Sequence, residues 1–432
     1  MILRVFLSIA FTCLIAGHAG TPAWSQDVRA DLSAFPKIDP EMDWPWWRGA
    51  SRNGQSIGKK APVELGEKQN LLWKAPVPGR GHSSPTVIGN QVLLLTADES
   101  AKKHVALSFD RISGKQRWSK ELNNGGFPIK NHSKNTEASP TFACDGERLY
   151  ISIFHHEAIW LIALSLEGEK LWEQKLGSFS PRMFEYGYAP SPQLYRDSVI
   201  VSFEYDGPSF IVAVDRATGQ EKWRTARRNA ISFSTPVIAS NEGKDYLLIS
   251  GMETVSAYDP TTGIPIWSTP GTTNATCGTM VWDRGIAFAS GGYPKPETIA
   301  VDIQTGQEKW RNNQKCYEQS ILASDGHVYA LTDAGVMFCW SGSDGREMWK
   351  KRLSGPVSAS GVLSGGNIYW ANEAGTLWVI KANPQKYEEV SKNQIGEESF
   401  ASPAICGGQV FLRTATTSPK GRQEFLYAFG SK

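Results

Sequence analysis

The sequence predicts an all-β fold: an eight-bladed β-propeller of four-stranded antiparallel blades, closed by the N-terminal strand completing the last blade. Three observations predict it. An eleven-residue turn motif recurs as AVDRATGQEKW at 213–223, AVDIQTGQEKW at 300–310, AYDPTTGIPIW at 257–267 and SFDRISGKQRW at 108–118. A second signal, a small-residue/Pro step followed by two short apolar runs around a turn, recurs eight times between 83 and 414. The two ends of the repeat region are complementary fragments of one more unit.

The turn motif reads as a hairpin. Asp110, Asp215, Asp259 and Asp302 each stand at the end of an apolar strand, where a carboxylate accepts from backbone amides two residues on. Four residues later Gly114, Gly219, Gly263 and Gly306 supply the positive φ of a short loop. After four more come Trp118, Trp223, Trp267 and Trp310, large apolar anchors. Shorter copies hold Gly168 with Trp172 and Gly345 with Trp349. One hairpin alone is marginal, so the copies must bury their faces on each other. An alanine at Trp223 is expected to cost on the order of 3–5 kcal/mol if the indole is buried between units.

The second signal supplies the other half of each unit, from SSPTVIGNQVLLLT at 83–96 to ASPAICGGQVFLRT at 401–414. Together the two signals make four short strands per unit. The turn glycines at 114, 168, 219, 263, 306 and 345 stand 54, 51, 44, 43 and 39 residues apart, near the length of a four-stranded blade. The early excess falls in loops 123–135 and 177–188. The chain stops on a third strand, FLYAFG at 425–430, and the region opens on LLWKAPV at 71–77, a fourth strand carrying Trp73. Pairing them removes both sheet edges. The seventh unit is the weak one: its third strand, at 377–387, lacks both the Gly and the Trp.

Residues 1–25 read as a secretory signal, with Arg4, an apolar core at 5–16 and small residues Ala23 and Ser25 at the cleavage site. The apolar run is too short for a membrane span. Cys13 is the lipidation candidate, set within the apolar core. Net charge is +2 with no basic stripe, which argues against nucleic acid. Cys144, Cys277, Cys316, Cys339 and Cys406 follow the signal; an odd number without CxxC indicates neither a disulfide framework nor zinc. Pairing of Cys277 with Cys316 is left open.

Residues 26–70 form a Trp-rich extension expected to pack against the surface of a propeller spanning 71–430. Its core, WPWWRGASRNG at 44–54, reads as a packing clamp, with a ligand-stacking platform as the alternative.

The motif AxDxxTGxxxW resembles the repeat of the pyrroloquinoline-quinone-like (PQQ-like) propeller family, over roughly residues 71–430. The resemblance implies that Trp73, Trp118, Trp172, Trp223, Trp267, Trp310 and Trp349 each dock on the next blade. It implies two functional classes: quinoprotein dehydrogenases holding PQQ and calcium in the funnel, and BamB-type scaffolds of outer-membrane protein assembly without a cofactor. Trp44–Gly54 also resembles the WPxWRGxxRxG start of a third, secreted or periplasmic group.

The repeat turns say nothing about chemistry, so the expected role is a non-catalytic, monomeric scaffold binding envelope or outer-membrane proteins, periplasmic or secreted and without a cofactor. The alternative is a quinoprotein dehydrogenase of alcohols or sugars with PQQ and calcium; the adjacent-cysteine pair of many such enzymes is missing. A hydrolase or lyase is a weaker third reading, since no tuned acid–base pair is visible. The candidate funnel residues are Arg80, His82, Glu137, Tyr188, Glu318 and Glu398, with Tyr186, Phe233, Asn274 and Glu397 beside them. The carboxylates come from blades 2, 6 and 8 and are expected to line a polar channel. His155 and His156, adjacent on a strand, should point to opposite faces and share no metal.

Overall fold

In a computed structural model, residues 32–128, 130–419 and 421–431 are described; the signal sequence expected at 1–25, with Cys13, lies outside them. All thirty-two named elements are strands, arranged in eight four-stranded antiparallel sheets. Blades 1 to 7 occupy 86–121, 143–178, 193–227, 237–270, 281–312, 322–352 and 362–394 in sequence order. Blade 8 takes three strands from 404–429 and its outermost from Leu71–Val77, which pairs with Gly421–Phe429 in the register Trp73↔Ala428. The N-terminal strand therefore closes the ring as the complementary ends require.

Each element of the turn motif has a separate task. In blade 3 the Asp215 carboxylate accepts from the amides of Ala217 (3.0 Å) and Thr218 (2.9 Å) and from the Thr218 hydroxyl (2.9 Å). Asp110 does the same with Ile112 and Ser113. Directly opposite, Ala213 faces Trp223, and a β-bulge follows that pair. The bulge recurs at Ala257/Trp267, Ala300/Trp310 and Cys339/Trp349, twisting the outer strand so that the indole turns toward the neighbouring blade.

The glycine is needed twice over. Its φ is positive, +74° at Gly219 and +72° at Gly306. A Cβ at Gly219 would also lie 2.8 Å from Trp172, and one at Gly306 2.6 Å from Trp267. Each indole thus lies flat on the glycine of the following blade, and its N–H donates to a carbonyl two or three residues before that glycine, as Trp267 does to Ile303 (3.0 Å) and Trp310 to Gly342 (2.8 Å). Trp73 reaches across the closure to Arg111 in the same way (2.8 Å).

Trp223 is the exception. It is half-buried, and its buried N–H has no partner among the described residues. Truncating it removes no hydrogen bond, so the expected cost of Trp223→Ala falls to about 2 kcal/mol, below that of the fully docked Trp310. Urea denaturation of the two alanine variants checks the order.

Blade 7 shows how the missing residues are replaced. Trp349 donates to the Asn383 carbonyl (2.8 Å) and packs edge-on against Tyr387 (5.8 Å), which substitutes for a turn glycine. On the outer strand Ser391 stands where the other blades have Trp. Its hydroxyl and the Asn393 amide both donate to Val63 of the N-terminal extension, at 2.6 and 3.0 Å. The extension fills the seam that the absent indole leaves between blades 7 and 8.

The rest of the extension corrects the surface-packing expectation: it enters the central channel. The innermost strand of every blade has a free edge facing the axis, a row of unpaired backbone groups. Trp44 pairs with Val87 of blade 1 in both directions, and the Pro45 carbonyl takes the Cys144 amide of blade 2. Arg52 donates to Leu194 of blade 3 (2.7 Å), the Asn53 side chain pairs both ways with Trp282 of blade 5, and Gln55 donates to Ala323 of blade 6 (2.8 Å). Gly54 and Ser56 bracket Leu363 of blade 7. Trp46 is fully buried, its ring covered by the Arg52 guanidinium at 4.2 Å. A polar loop goes inside because the channel wall presents unpaired backbone donors and acceptors that its main chain and side chains can satisfy.

Candidate functional site

At the other end of the innermost strands the small-residue step becomes a belt of hydroxyls. The Ser84 amide donates to Thr141 Oγ1, Thr141 to Ser191, and Ser191 to Thr235, at 3.0–3.1 Å. The chain resumes from Thr279 to Ser320, Ser360 and Ser402, and the Ser402 amide returns to Ser84 (3.0 Å). Seven of the eight blades thus cap the next around the axis. Trp47 crosses this belt, donating to Thr279 Oγ1 at 2.8 Å. Belt and indole form the floor of a funnel-shaped cavity of about 340 Å³.

Two kinds of side chain line its walls. Phe184, Tyr186, Phe233, Tyr293 and Tyr317 form an aromatic side, with ring centroids 5.5 Å apart for Phe184–Tyr293, 5.6 Å for Phe184–Tyr186 and 6.1 Å for Tyr186–Phe233. A polar group joins Lys134, Ser358 and Glu318 to Glu373 behind them. The Lys134 ammonium lies 2.7 Å from Glu373, the Ser358 hydroxyl is 2.7 Å from the same carboxylate oxygen, and that hydroxyl also meets Glu318 in a short hydrogen bond. Burial pushes the Glu318 carboxyl upward against the pull of Ser358 and Lys134.

The sequence candidates separate on this geometry. His82 and Glu318 line the cavity, as do Tyr186 and Phe233. His82 stacks on Phe400 (4.3 Å), and burial together with Arg80, Arg413 and Arg422 keeps its pKa well below the ordinary imidazole value. Arg80 lies at the rim, donating to the Ser133 carbonyl (3.1 Å), while Tyr188 is buried with its hydroxyl on the Ser202 carbonyl (3.0 Å). Glu398 pairs with Arg422, Glu397 accepts from the Thr417 amide, and the Asn274 carbonyl accepts from Met252. Of the three carboxylates from blades 2, 6 and 8, only Glu318 lines the cavity. Lys134, Ser358, Glu373 and Tyr317 are the residues that sequence reasoning missed.

Glu137 stands behind the wall, accepting from the Asn131 amide (2.7 Å), and burial pushes its pKa up to about 7. A folded-state pKa above the ordinary 4.5 means that the native protein holds a proton the unfolded chain releases. Its contribution is full below about pH 4.5 and is lost as pH rises through 7. Glu137→Gln is therefore expected to match the parent at pH 4 and exceed its stability by about 1–3 kcal/mol at pH 8, measured by denaturation at both pH values.

All five described cysteines are free thiols, so Cys277 and Cys316 are unlinked. The His155–His156 expectation is corrected. The strand ends at His155, and His156 turns into the left-handed region at φ +50°, so alternation no longer applies and the two Nδ1 atoms meet at 2.9 Å. Among the described residues no group of three or more His, Cys, Asp or Glu side chains is placed to hold a metal ion, and no helix is long and apolar enough to cross a membrane.

A sequence-family model described as outer membrane protein assembly factor BamB matches residues 63–183, 101–351 and 295–422. The chain belongs to this family of PQQ-like propellers. Over 368 residues it is 23% identical to the outer membrane protein assembly factor BamB of Burkholderia pseudomallei (strain K96243), a match covering 84% of this chain and 77% of that protein. Among solved structures it is similar to a europium-containing methanol dehydrogenase, with TM-score 0.68, 13% identity, and 93% of this chain and 100% of that chain covered. It is also similar to BamB from Moraxella catarrhalis, with TM-score 0.59, 14% identity, and 83% and 99% covered. At such identities the likeness is one of fold.

Proposed function

We propose that the protein is a non-catalytic scaffold of the cell envelope that binds outer-membrane assembly proteins, exported by residues 1–25 and acting as a periplasmic or secreted monomer. The observation that carries this reading is the state of the axis: the chain's own extension fills one end of the channel, and the funnel acids are already engaged with Lys134 and Ser358. The family match supports the same reading. So does the funnel rim, where Met183 and Tyr293 are exposed large apolar groups beside Phe184.

The quinoprotein alternative fits this donor set poorly. Calcium takes six to eight oxygen ligands, whereas here an ammonium already sits against Glu373. PQQ is a tricarboxylate, and Lys134 is the one Lys or Arg among the described lining residues. Quinone and calcium together carry about one net negative charge, entering a site where two glutamates face one lysine. No redox step is assigned to these residues.

The test is affinity purification of the full chain from cross-linked envelopes. Outer-membrane assembly proteins should be recovered with it, and Met183→Asp combined with Tyr293→Ala should abolish their recovery. Recovery of the protein alone would refute the scaffold reading.

A further inference from the structure

The funnel goes beyond what a scaffold needs. Its polar group is one proton short. The Ser358 hydroxyl lies within hydrogen-bonding distance of both Glu318 and Glu373, yet it carries a single hydrogen. Glu373 has Lys134 as a second partner. When Ser358 donates to Glu373, the contact with Glu318 requires a hydrogen on the Glu318 carboxyl itself. A cation arriving from the cavity can take the place of that proton.

The surroundings say which cation. A metal ion would need several oxygen ligands, and much of the cavity wall that Glu318 shares is aromatic. Phe184, Tyr186, Phe233, Tyr317 and Cys277 form one apolar cluster, and the Trp47 indole lies on the floor. Aromatic faces attract organic cations and accommodate an apolar body at the same time. A cavity of about 340 Å³ is at the small end of the range for small-molecule sites.

We propose that the funnel binds a small organic ammonium, an amine on an aromatic or alkyl body, with the ammonium against Glu318 and Ser358 and the body among Phe184, Tyr186, Phe233 and Tyr317. No covalent bond to the ligand is made; the Glu318 carboxyl gives up its proton to solvent and the ammonium takes its place. The site does not depend on the scaffold reading, since protein partners would meet the rim and not the floor.

The charged and titratable groups facing Glu318 include Lys134 from the loop before blade 2, Glu373 from blade 7, Asp333 from the same blade as Glu318, the Tyr317 phenol beside it and the Cys277 thiol. Lys134 is held protonated by its acidic neighbours, and the Cys277 thiol is pushed well up by burial, so both keep their protons through neutral pH. Amine affinity should therefore rise with pH as Glu318 yields its proton.

Isothermal titration of the full chain with phenethylamine, its neutral analogue 2-phenylethanol and its anionic analogue phenylacetate tests the proposal. We expect saturable one-to-one binding of the amine at pH 8, at least tenfold weaker binding of both analogues, and a loss of at least tenfold for Glu318→Gln. Glu398→Gln, outside the cavity lining and paired with Arg422, should bind as the parent does. The comparison of the three ligands needs only the parent protein, so it stands even if a variant fails to fold. Absence of saturable amine binding, equal binding of 2-phenylethanol, or undiminished binding by folded Glu318→Gln would overturn the proposal.

Discussion

Replacing Arg48 with alanine is expected to cost about 3–5 kcal/mol of folding stability. Arg48 is 2% exposed at the centre of the channel plug. Its Nη1 donates to the Gly361 carbonyl of blade 7 (2.8 Å), and its Nη2 donates to the Ile321 carbonyl of blade 6 (3.1 Å). Burial lowers its pKa to about 9, which leaves the guanidinium charged at neutral pH. The ring of backbone acceptors on the axis substitutes for a counter-ion. Alanine would leave those carbonyls buried without donors and open a cavity against Gly54, whose φ of +73° lets the backbone lie close to the guanidinium. Methionine restores most of the volume but no donor, so Arg48→Met should recover less than half of the loss. Denaturant midpoints of the two variants separate the packing and hydrogen-bonding parts.

Arg413→Met is expected to cost about 3–5 kcal/mol, through the seam between blades 8 and 1. Arg413 and Glu424 are 2% and 1% exposed and form a buried ion pair. The same guanidinium donates across the seam to the Leu95 carbonyl (2.7 Å) and to Thr96 Oγ1 (3.1 Å). Glu424 in turn accepts from the Gly81 amide (3.2 Å) and from Arg422 (2.6 Å). Removing the arginine leaves the buried Glu424 carboxylate with Arg422 and the Gly81 amide alone, and takes the donor from two blade 1 acceptors. A double variant with Glu424→Leu should be more stable than Arg413→Met alone, because no carboxylate remains buried without its closest ion-pair partner. Equal or greater loss in the double variant would mean that the seam contacts dominate and the ion pair contributes little.

The fold was legible because its determinants repeat. Asp215, Gly219 and Trp223 do the same local work wherever their equivalents occur, and turn chemistry acts over a few residues. The closing strand was legible for a related reason, since 71–77 and 425–430 are halves of one unit. The extension was misplaced because Trp44, Trp46 and Trp47 suggested apolar packing, while Arg48, Arg52, Asn53 and Gln55 decide its position by pairing with strand edges that no sequence pattern displays.

The funnel was legible only where it sits beside a repeat. His82 and Glu318 precede innermost strands and were found from that position. Glu373 lies in a hairpin turn of blade 7 that looks like any other, and Lys134 lies in the insertion before blade 2, separated by 239 residues. A closed ring brings such loops together across the axis, and no local pattern records the meeting. Glu137 illustrates the converse: it also precedes an innermost strand, but it stands two residues further back than Glu318 does, and Asn131 of the insertion loop holds its carboxylate behind the wall.

The central claim is that this propeller keeps the fold of the quinone enzymes without their chemistry. The most direct measurement is dye-linked oxidation of alcohols and sugars by purified protein incubated with PQQ and calcium. The account predicts dye reduction no faster than in buffer with PQQ and calcium alone. Turnover that saturates with PQQ and disappears in Glu318→Ala would contradict it.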